Sequence, residues 1–362
     1  MKILVLANYD EGLYKFRKEL LEKLVINNEV FVCVPKGEYV NKLQEIGCSI
    51  IPVVLERRGT NPIKDLKLIK NYIDNISSVK PDVVLTYTIK PNVYGGIASR
   101  IKKVPYIANI TGLGSTLENK SILQVVSVML YKIGLKKAKK VFFQNKSNLE
   151  FMIKHKIVKN NYDLLPGSGV NLDHYKYIDY PKKDTYDFVY VGRIMKEKGF
   201  DQFADAAKEI TQKYNNVFFH ICGWYEDDYL EIVKELIKNK QIIYHGRVDD
   251  MNDIYKDMDC TILPTYYSEG LSNVLLESLA CGRPIITTNR PGCKEVIDDG
   301  INGFVIEQQN SKDLIAKIEK FISMSYEERK QFGINGRNKV EKQFDRNIVV
   351  DKYIQEISTI SN

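Results

Sequence analysis

Twice along this chain, short runs rich in β-branched residues alternate with longer amphipathic stretches, and that alternation constrains the fold more than any other feature. In the first half the short runs are Ile3–Ala7, Val30–Pro35, Ile50–Val54, Asp82–Tyr87, Tyr106–Ile110 and Val141–Gln144. In the second half they are the run that opens at Asp187, then Val217–Cys222, Ile242–His245, Thr261–Pro264 and Ile285–Thr288. Such a pattern predicts βαβ units wound around parallel sheets, an α/β class. At 362 residues the chain exceeds one ordinary core and suits two such domains. The cut is expected near residue 180, after Pro166-Gly-Ser-Gly169 and a run rich in Tyr, Lys and Asp. Ligands of open parallel sheets bind beyond the carboxyl ends of the strands, so the loops after each run carry the functional reading.

Composition narrows the class. Hydrophobic residues at 44% and charged residues at 27% predict a water-soluble globular protein with real cores in both domains. The excess of 53 basic over 46 acidic residues, net +7, is too small to point to nucleic acid. The start Met-Lys-Ile-Leu-Val-Leu-Ala-Asn reads as a strand rather than a signal peptide. No window holds 18 uninterrupted apolar residues. The cysteines at 33, 48, 222, 260, 281 and 293 lack metal-ligand spacing and read as reduced core residues, which fits a cytoplasmic protein.

The most informative loop is Pro264-Thr-Tyr-Tyr-Ser-Glu-Gly-Leu-Ser-Asn-Val-Leu-Leu-Glu277. It reads as a strand end, a polar loop and the first turns of an apolar helix, with Ser272 and Asn273 as capping candidates. A junction of this kind makes an anion site, because free backbone N–H groups and the positive helix end point out of the sheet. Glu269 in the loop and Glu277 one turn into the helix bracket it, Glu277 on the same face as Asn273. An anion cradle between two hydroxyl-binding carboxylates suits a diphosphate joining two sugars, as in a nucleotide sugar.

Other loops are polar and glycine-rich. Asp187-Phe-Val-Tyr-Val-Gly-Arg-Ile-Met-Lys-Glu-Lys-Gly-Phe200 contains a strand, a turn at Gly192 and two cations, Arg193 and Lys198, at an expected helix start. Cations there oppose the helix dipole, which favours a ligand role for them. Gly223 and the segment His245-Gly-Arg247-Val248 follow strand ends. His220 and His245 read as isolated polar groups without a partnered acid, poor candidates for a general base. After the first strand come Gly12 and Tyr14-Lys15-Phe16-Arg17, with a helix expected from near Leu13. Lys90 and Asn92 lie in Thr86–Gly96, and Asn109 and Thr111 in Asn109–Ser115. Lys120–Lys140 is apolar through its middle and lysine-rich at its end. Most of its apolar residues are expected in the core of the first domain, while the same pattern suits a helix resting on a membrane surface.

The spacing Glu269-x7-Glu277 resembles the E-x7-E motif of the GT4 group of retaining glycosyltransferases, and the likeness runs along nearly the whole chain. It implies the GT-B fold, two doubly wound Rossmann-like domains facing a cleft. Residues 1–180 would be an acceptor domain, 181–343 a nucleotide-sugar domain, and 344–362 a helix crossing back to the first. Catalytic roles would fall to Glu269, Arg193 and Lys198, with Glu269 on the transferred sugar. The wider donor set would be Gly12, Gly192, Arg193, Lys198, Gly223, Arg247, Val248, Glu269, Gly270, Leu271, Ser272, Asn273 and Glu277, the last holding ribose hydroxyls.

Tyr14, Arg17, Lys90, Asn92, Asn109 and Thr111 would line the acceptor side. Thr111 stands where many GT4 enzymes carry a histidine. The resemblance implies a metal-independent transfer with no cofactor, moving a hexose or N-acetylhexosamine, GalNAc first, from a UDP-sugar to an undecaprenyl-diphosphate-linked saccharide. Peripheral contact with the inner face of the cell membrane is expected with that acceptor. A GT-B enzyme with a soluble acceptor and a non-catalytic GT-B-like partner stay open, although both diphosphate cations are present. The absence of Gly-x-Gly-x-x-Gly after the first strand argues against a dehydrogenase.

Overall fold

The computed structural model describes residues 1–55, 61–113, 121–225, 227–268 and 270–361. The chain divides into two compact units, Met1–Gly169 with the segment from Arg346 onward, and Val170–Asp345.

In the first unit the chain runs β1 (Lys2–Leu6), α1 (Asp10–Val25), β2 (Glu29–Val34), α2 (Val40–Glu45), β3 (Ser49–Pro52), α3 (Pro62–Val79) and β4 (Val83–Tyr87). It continues through a π-helical turn at Pro91–Gly95 into α4 (Gly96–Lys102), then β5 (Tyr106–Ile110), α5 (Ile122–Gly134), β6 (Lys140–Phe143), α6 (Lys146–Lys154) and β7 (Tyr162–Leu164). The seven strands form one parallel sheet in the order β3-β2-β1-β4-β5-β6-β7. Two-residue periodicity builds both of its faces. Ile3 and Val5 of β1 enter one core with Leu20, Leu21 and Leu24 of α1, while Leu4 and Leu6 enter the other with Tyr72 of α3 and Val93. Each such fully buried aliphatic side chain contributes roughly 1.5–3 kcal/mol.

The second unit contains β8 (Tyr186–Val191), α7 (Phe200–Lys213), β9 (Val217–Cys222), α8 (Leu230–Lys238), β10 (Ile243–Gly246), α9 (Asn252–Tyr255) and β11 (Cys260–Leu263). It ends with α10 (Asn273–Ala280), β12 (Ile285–Thr288), β13 (Gly303–Ile306), α11 (Ser311–Ser323) and α12 (Tyr326–Gln343). Its sheet is parallel, in the order β10-β9-β8-β11-β12-β13. Phe188 and Tyr190 of β8 face the larger core, Val189 and Val191 the smaller. Helix α13 (Arg346–Ser361) then packs in the first unit, where Val349, Val350, Tyr353 and Ile357 join the core of α1. Arg346 anchors its start by donating to both carboxylate oxygens of Glu19 at 2.8 and 2.9 Å. Two parallel Rossmann-like sheets in these orders are the GT-B fold.

Several expectations need correction. The division falls at 169/170 rather than near 180, because Leu172 and Tyr175 pack on the core of the second unit and the Tyr180 hydroxyl bonds Asp259 there. Helix α1 starts at Asp10 rather than near Leu13, since the Asp10 carboxylate faces inward and accepts from the Tyr39 amide at 2.8 Å. Strands β7 and β13 were not anticipated. The largest correction concerns α5, which buries only Tyr131 and Gly134. Ile122, Leu123, Val125, Val126, Met129 and Ile133 are exposed, Ile122 by 84%, so most of the apolar residues of Lys120–Lys140 are outside the core, which Val128, Leu130, Tyr131, Leu135 and Ala138 meet. Lys120 itself lies outside the described residues. All six cysteines are buried, as expected of core residues.

Candidate functional site

The order of the second sheet reverses between β8 and β11. From β8 the chain winds outward to β9 and β10, and from β11 to β12 and β13, so the loops after β8 and β11 diverge at a topological switch point, the usual ligand crevice of an open α/β sheet. These two loops are tied together by backbone. The Tyr266 amide and the Thr265 hydroxyl both donate to the Glu197 carbonyl, at 2.9 and 3.2 Å. Gly199 makes the approach possible: its φ is +75°, and a Cβ there would lie 2.1 Å from the Pro264 carbonyl oxygen.

On this frame the two cations singled out in the sequence converge. The Arg193 guanidinium lies 5.7 Å from the centroid of the Tyr267 ring and the Lys198 ammonium 5.4 Å from the same ring. Both distances are within cation–π range. Tyr267 is held in turn by its amide on the Thr265 hydroxyl at 3.1 Å and by Arg290 Nε on its carbonyl at 3.3 Å. Tyr267 was missed by sequence reasoning; its signal is the aromatic pair Tyr266-Tyr267 just before Glu269. The cations are not at the start of a helix proper. Lys198 closes a short 3₁₀ turn at Lys196–Lys198, and α7 begins beyond Gly199.

The loop after β12 joins the same frame, the Ser272 amide donating to the Gly292 carbonyl at 2.8 Å. Gly270, Leu271 and Ser272 are buried at the mouth of α10. Ser272 occupies the N-cap position, but its hydroxyl makes no capping bond, and Asn273 is the first helical residue. The Asn273 side-chain oxygen is buried without a hydrogen-bond partner. The capping expectation for Ser272 is therefore corrected: its side chain does not cap the positive end of α10. Glu277 is half-buried one turn inside α10. Its charge adds to burial, the larger cause, in pushing the Tyr255 phenol well above its usual range. Glu269 lies outside the described residues.

The remaining donor-side residues form a second group at the ends of β8, β9 and β10. The Gly192 amide donates to the Cys222 carbonyl at 2.9 Å, Gly223 to Gly246 at 2.7 Å and Ile194 to Trp224 at 2.8 Å. Arg247 is 6.0 Å from the Trp224 ring, which is 52% exposed. Val248 instead packs on the smaller core. Gly12 belongs to the first unit, inside the first turn of α1.

In the first unit the reversal comes between β1 and β4. Arg17 is 4% exposed, its guanidinium 5.1 Å from the Tyr87 ring and its Nη1 donating to the Phe16 carbonyl at 2.6 Å. With the Gln144 amide oriented to satisfy both neighbours, its oxygen accepts from Arg17 Nη2 at 3.2 Å and its nitrogen donates to the Thr111 carbonyl at 3.3 Å. Asn92 is buried, accepting from the Thr86 hydroxyl at 2.7 Å and donating to the Asn109 carbonyl at 2.7 Å. The Asn109 amide donates to the Tyr353 hydroxyl. Arg17 Nε and Asn109 Oδ1 are buried without partners. Lys90 pairs with Asp65 at 2.8 Å, and Tyr14 packs on Tyr39 with ring centroids 5.5 Å apart. Arg17, Asn109 and Thr111 thus belong to one polar cluster; Lys90 and Tyr14 have other partners.

The histidines are not isolated. His220 Nε2 is 2.8 Å from Asp187 Oδ1, and its Nδ1 is 2.9 Å from His245 Nε2. Pairing of β8 with β9 supplies this acid, which is 33 residues away in the chain.

Comparison with known proteins adds sequence and fold relatives. Residues 178–339 match the family described as Glycosyl transferases group 1, and residues 2–145 the family described as Glycosyl transferase 4-like. The chain is 27% identical to the N,N'-diacetylbacillosaminyl-diphospho-undecaprenol alpha-1,3-N-acetylgalactosaminyltransferase of Campylobacter jejuni, over 98% of both chains. It is 29% identical to the capsular polysaccharide biosynthesis glycosyltransferase CapM of Staphylococcus aureus, over 89% of this chain and 88% of that one. Among solved structures, a glycosyltransferase from Rickettsia africae superposes with a TM-score of 0.84 at 19% identity, covering 100% of this chain and 98% of its own. Anabaena HepE in complex with UDP superposes with a TM-score of 0.81 at 17% identity, covering 99% of this chain and 100% of its own.

Proposed function

We propose that this chain, whose two halves match the families described as Glycosyl transferases group 1 and Glycosyl transferase 4-like, is a GT4-type glycosyltransferase that transfers a hexose or N-acetylhexosamine, GalNAc first, from a UDP-linked donor to an undecaprenyl-diphosphate-linked saccharide. The observation that carries the reading is the pair Arg193 and Lys198 over one ring at the switch point of the second unit. The names of the relatives from Campylobacter jejuni and Staphylococcus aureus support the substrate class and a place in polysaccharide or glycan-precursor assembly.

In this reading the donor diphosphate meets Arg193, Lys198 and the backbone amides at the start of α10, an anion site of the kind helix N-termini provide. Glu277 holds ribose hydroxyls and Glu269 hydroxyls of the sugar. The acceptor oxygen bonds the anomeric carbon from the side on which the diphosphate leaves. The bond from that carbon to the β-phosphate oxygen breaks with its electron pair going to UDP, and the acceptor proton passes to a leaving phosphate oxygen. Configuration is retained. Negative charge grows on the β-phosphate as the bond opens, and two fixed cations lower that barrier without a metal. Arg17, Asn109 and Thr111 serve the acceptor side, and the lipid acceptor brings the enzyme to the inner face of the membrane as a peripheral protein.

The test is UDP release from a panel of UDP-sugars with and without a lipid-diphosphate saccharide, in the presence and absence of EDTA. Acceptor-dependent release that survives EDTA is expected, and Lys198→Ala should lower kcat by about 10²–10³. Release independent of that acceptor, or full activity in Lys198→Ala, would overturn the assignment.

A further inference from the structure

Helix α5 is amphipathic in the wrong sense for a core helix. Ile122, Val126, Met129 and Ile133 follow the spacing of one helical face, with Val125 beside them, and all are exposed. Tyr131 and Gly134, the two buried residues of α5, lie on the other side. A contiguous exposed apolar face of this kind marks an interaction surface. The segment itself carries one sign of charge. Lys132, Lys136, Lys137 and Lys139 are exposed, and no aspartate or glutamate occurs between Ser121 and Lys140.

The inner side of α5 is mounted on the segment that carries Asn92. The Gly134 carbonyl accepts from the Tyr106 hydroxyl at 2.6 Å, and the Ile133 carbonyl from Arg100 Nη1 at 2.8 Å. Gly134 and Gly96 allow the contact: a Cβ on Gly134 would lie 2.6 Å from Val93 Cα, and one on Gly96 would lie 2.2 Å from the Gly134 carbonyl oxygen. The exposed face is therefore rigidly placed with respect to the Pro91–Gly95 turn.

We infer that α5 is the surface by which this protein rests on an anionic lipid bilayer, its apolar stripe at the headgroup level and its lysines on lipid phosphates. The inference rests on the lipid-linked acceptor proposed above and names the surface that meets its membrane. Charge selects the occupant, because an apolar stripe whose own segment, 121–140, carries lysines and no carboxylate matches a negatively charged interface. Among the described residues no helix is long and apolar enough to cross a membrane, so the contact is a surface one.

The experiment is co-sedimentation of the intact protein with vesicles of phosphatidylglycerol and phosphatidylcholine, compared with phosphatidylcholine alone, for wild type, Val126→Asp/Met129→Asp and Lys136→Gln/Lys137→Gln. Wild type should bind the anionic vesicles, the aspartate pair should lose at least ten-fold in partitioning, and the glutamine pair should lose several-fold on anionic vesicles only. Thermal melts should stay at the wild-type value, since the altered side chains are exposed. Equal binding by the aspartate pair, no binding by wild type, or a wild-type dimer that the aspartate pair dissolves would overturn the inference. Vesicle binding needs no sugar transfer, so a failed transferase reading leaves this result standing, and a failed membrane surface leaves UDP release untouched.

Discussion

Replacing Tyr267 by leucine removes the aromatic face that Arg193 and Lys198 share while keeping an apolar side chain of similar reach. The centroid distances of 5.7 and 5.4 Å place both cations at the outer part of cation–π range, where each contact is worth about 0.5–1 kcal/mol. Losing both weakens the hold on the two cations by about 1–2 kcal/mol. If that positioning acts when charge develops on the leaving diphosphate, kcat should fall about 5–30-fold. Tyr267→Phe keeps the ring and should stay within about two-fold of wild type. The same contacts cannot be lost twice, so Tyr267→Leu in a Lys198→Ala background should cost less than it does alone. The assay is initial-rate UDP release at saturating acceptor, with melting temperatures as a folding control. Unchanged kcat in Tyr267→Leu, or a phenylalanine variant as slow as the leucine one, would refute the view that the ring positions the cations.

Two further outcomes follow from the geometry of the second unit. Gly199→Ala combines a left-handed backbone, costing about 1 kcal/mol for a residue with a Cβ, with an overlap on the Pro264 carbonyl, so thermal unfolding should move down by several degrees and activity should drop with it. An unaltered melt would show that the loops are not locked at this point. The Asp187–His220–His245 cluster should make the fold acid-sensitive in two steps. Burial, and then the charge of His220, hold His245 below its ordinary value of 6.5, so the unfolded chain takes up that proton more readily and stability is lost as pH falls below about 6.5. Burial would raise Asp187, but hydrogen bonds from His220 and Lys183 together with their charges outweigh it and hold the carboxyl below 3.8, so its contribution is lost as pH falls further, through its folded value. Melting temperature against pH should show the first step in wild type and not in His245→Gln; a flat profile between neutral pH and pH 5 would contradict it.

Periodicity alone determined much of this protein. Tyr106–Ile110, Val217–Cys222 and Ile285–Thr288 were legible to the residue because each is a short, largely buried run rich in β-branched and aromatic residues within a parallel sheet. The chain order of Arg193, Lys198 and Glu277, and the likeness of their surroundings to the GT4 group, were legible as well, since each sits in a local strand–turn–helix pattern. Strands Tyr162–Leu164 and Gly303–Ile306 were not: each is a short edge strand defined by the one neighbour it pairs with. Nor could the apolar run of Ile122–Gly134 say which side faces water, because helical spacing gives the angle between residues and not the direction of the core. Only the parallel register brings Asp187 to His220, and only the reversal of strand order at β8 and β11 lays two cations over Tyr267. Local spacing is a property of the chain, whereas these meetings depend on which strands lie side by side, and that is decided when the sheets assemble.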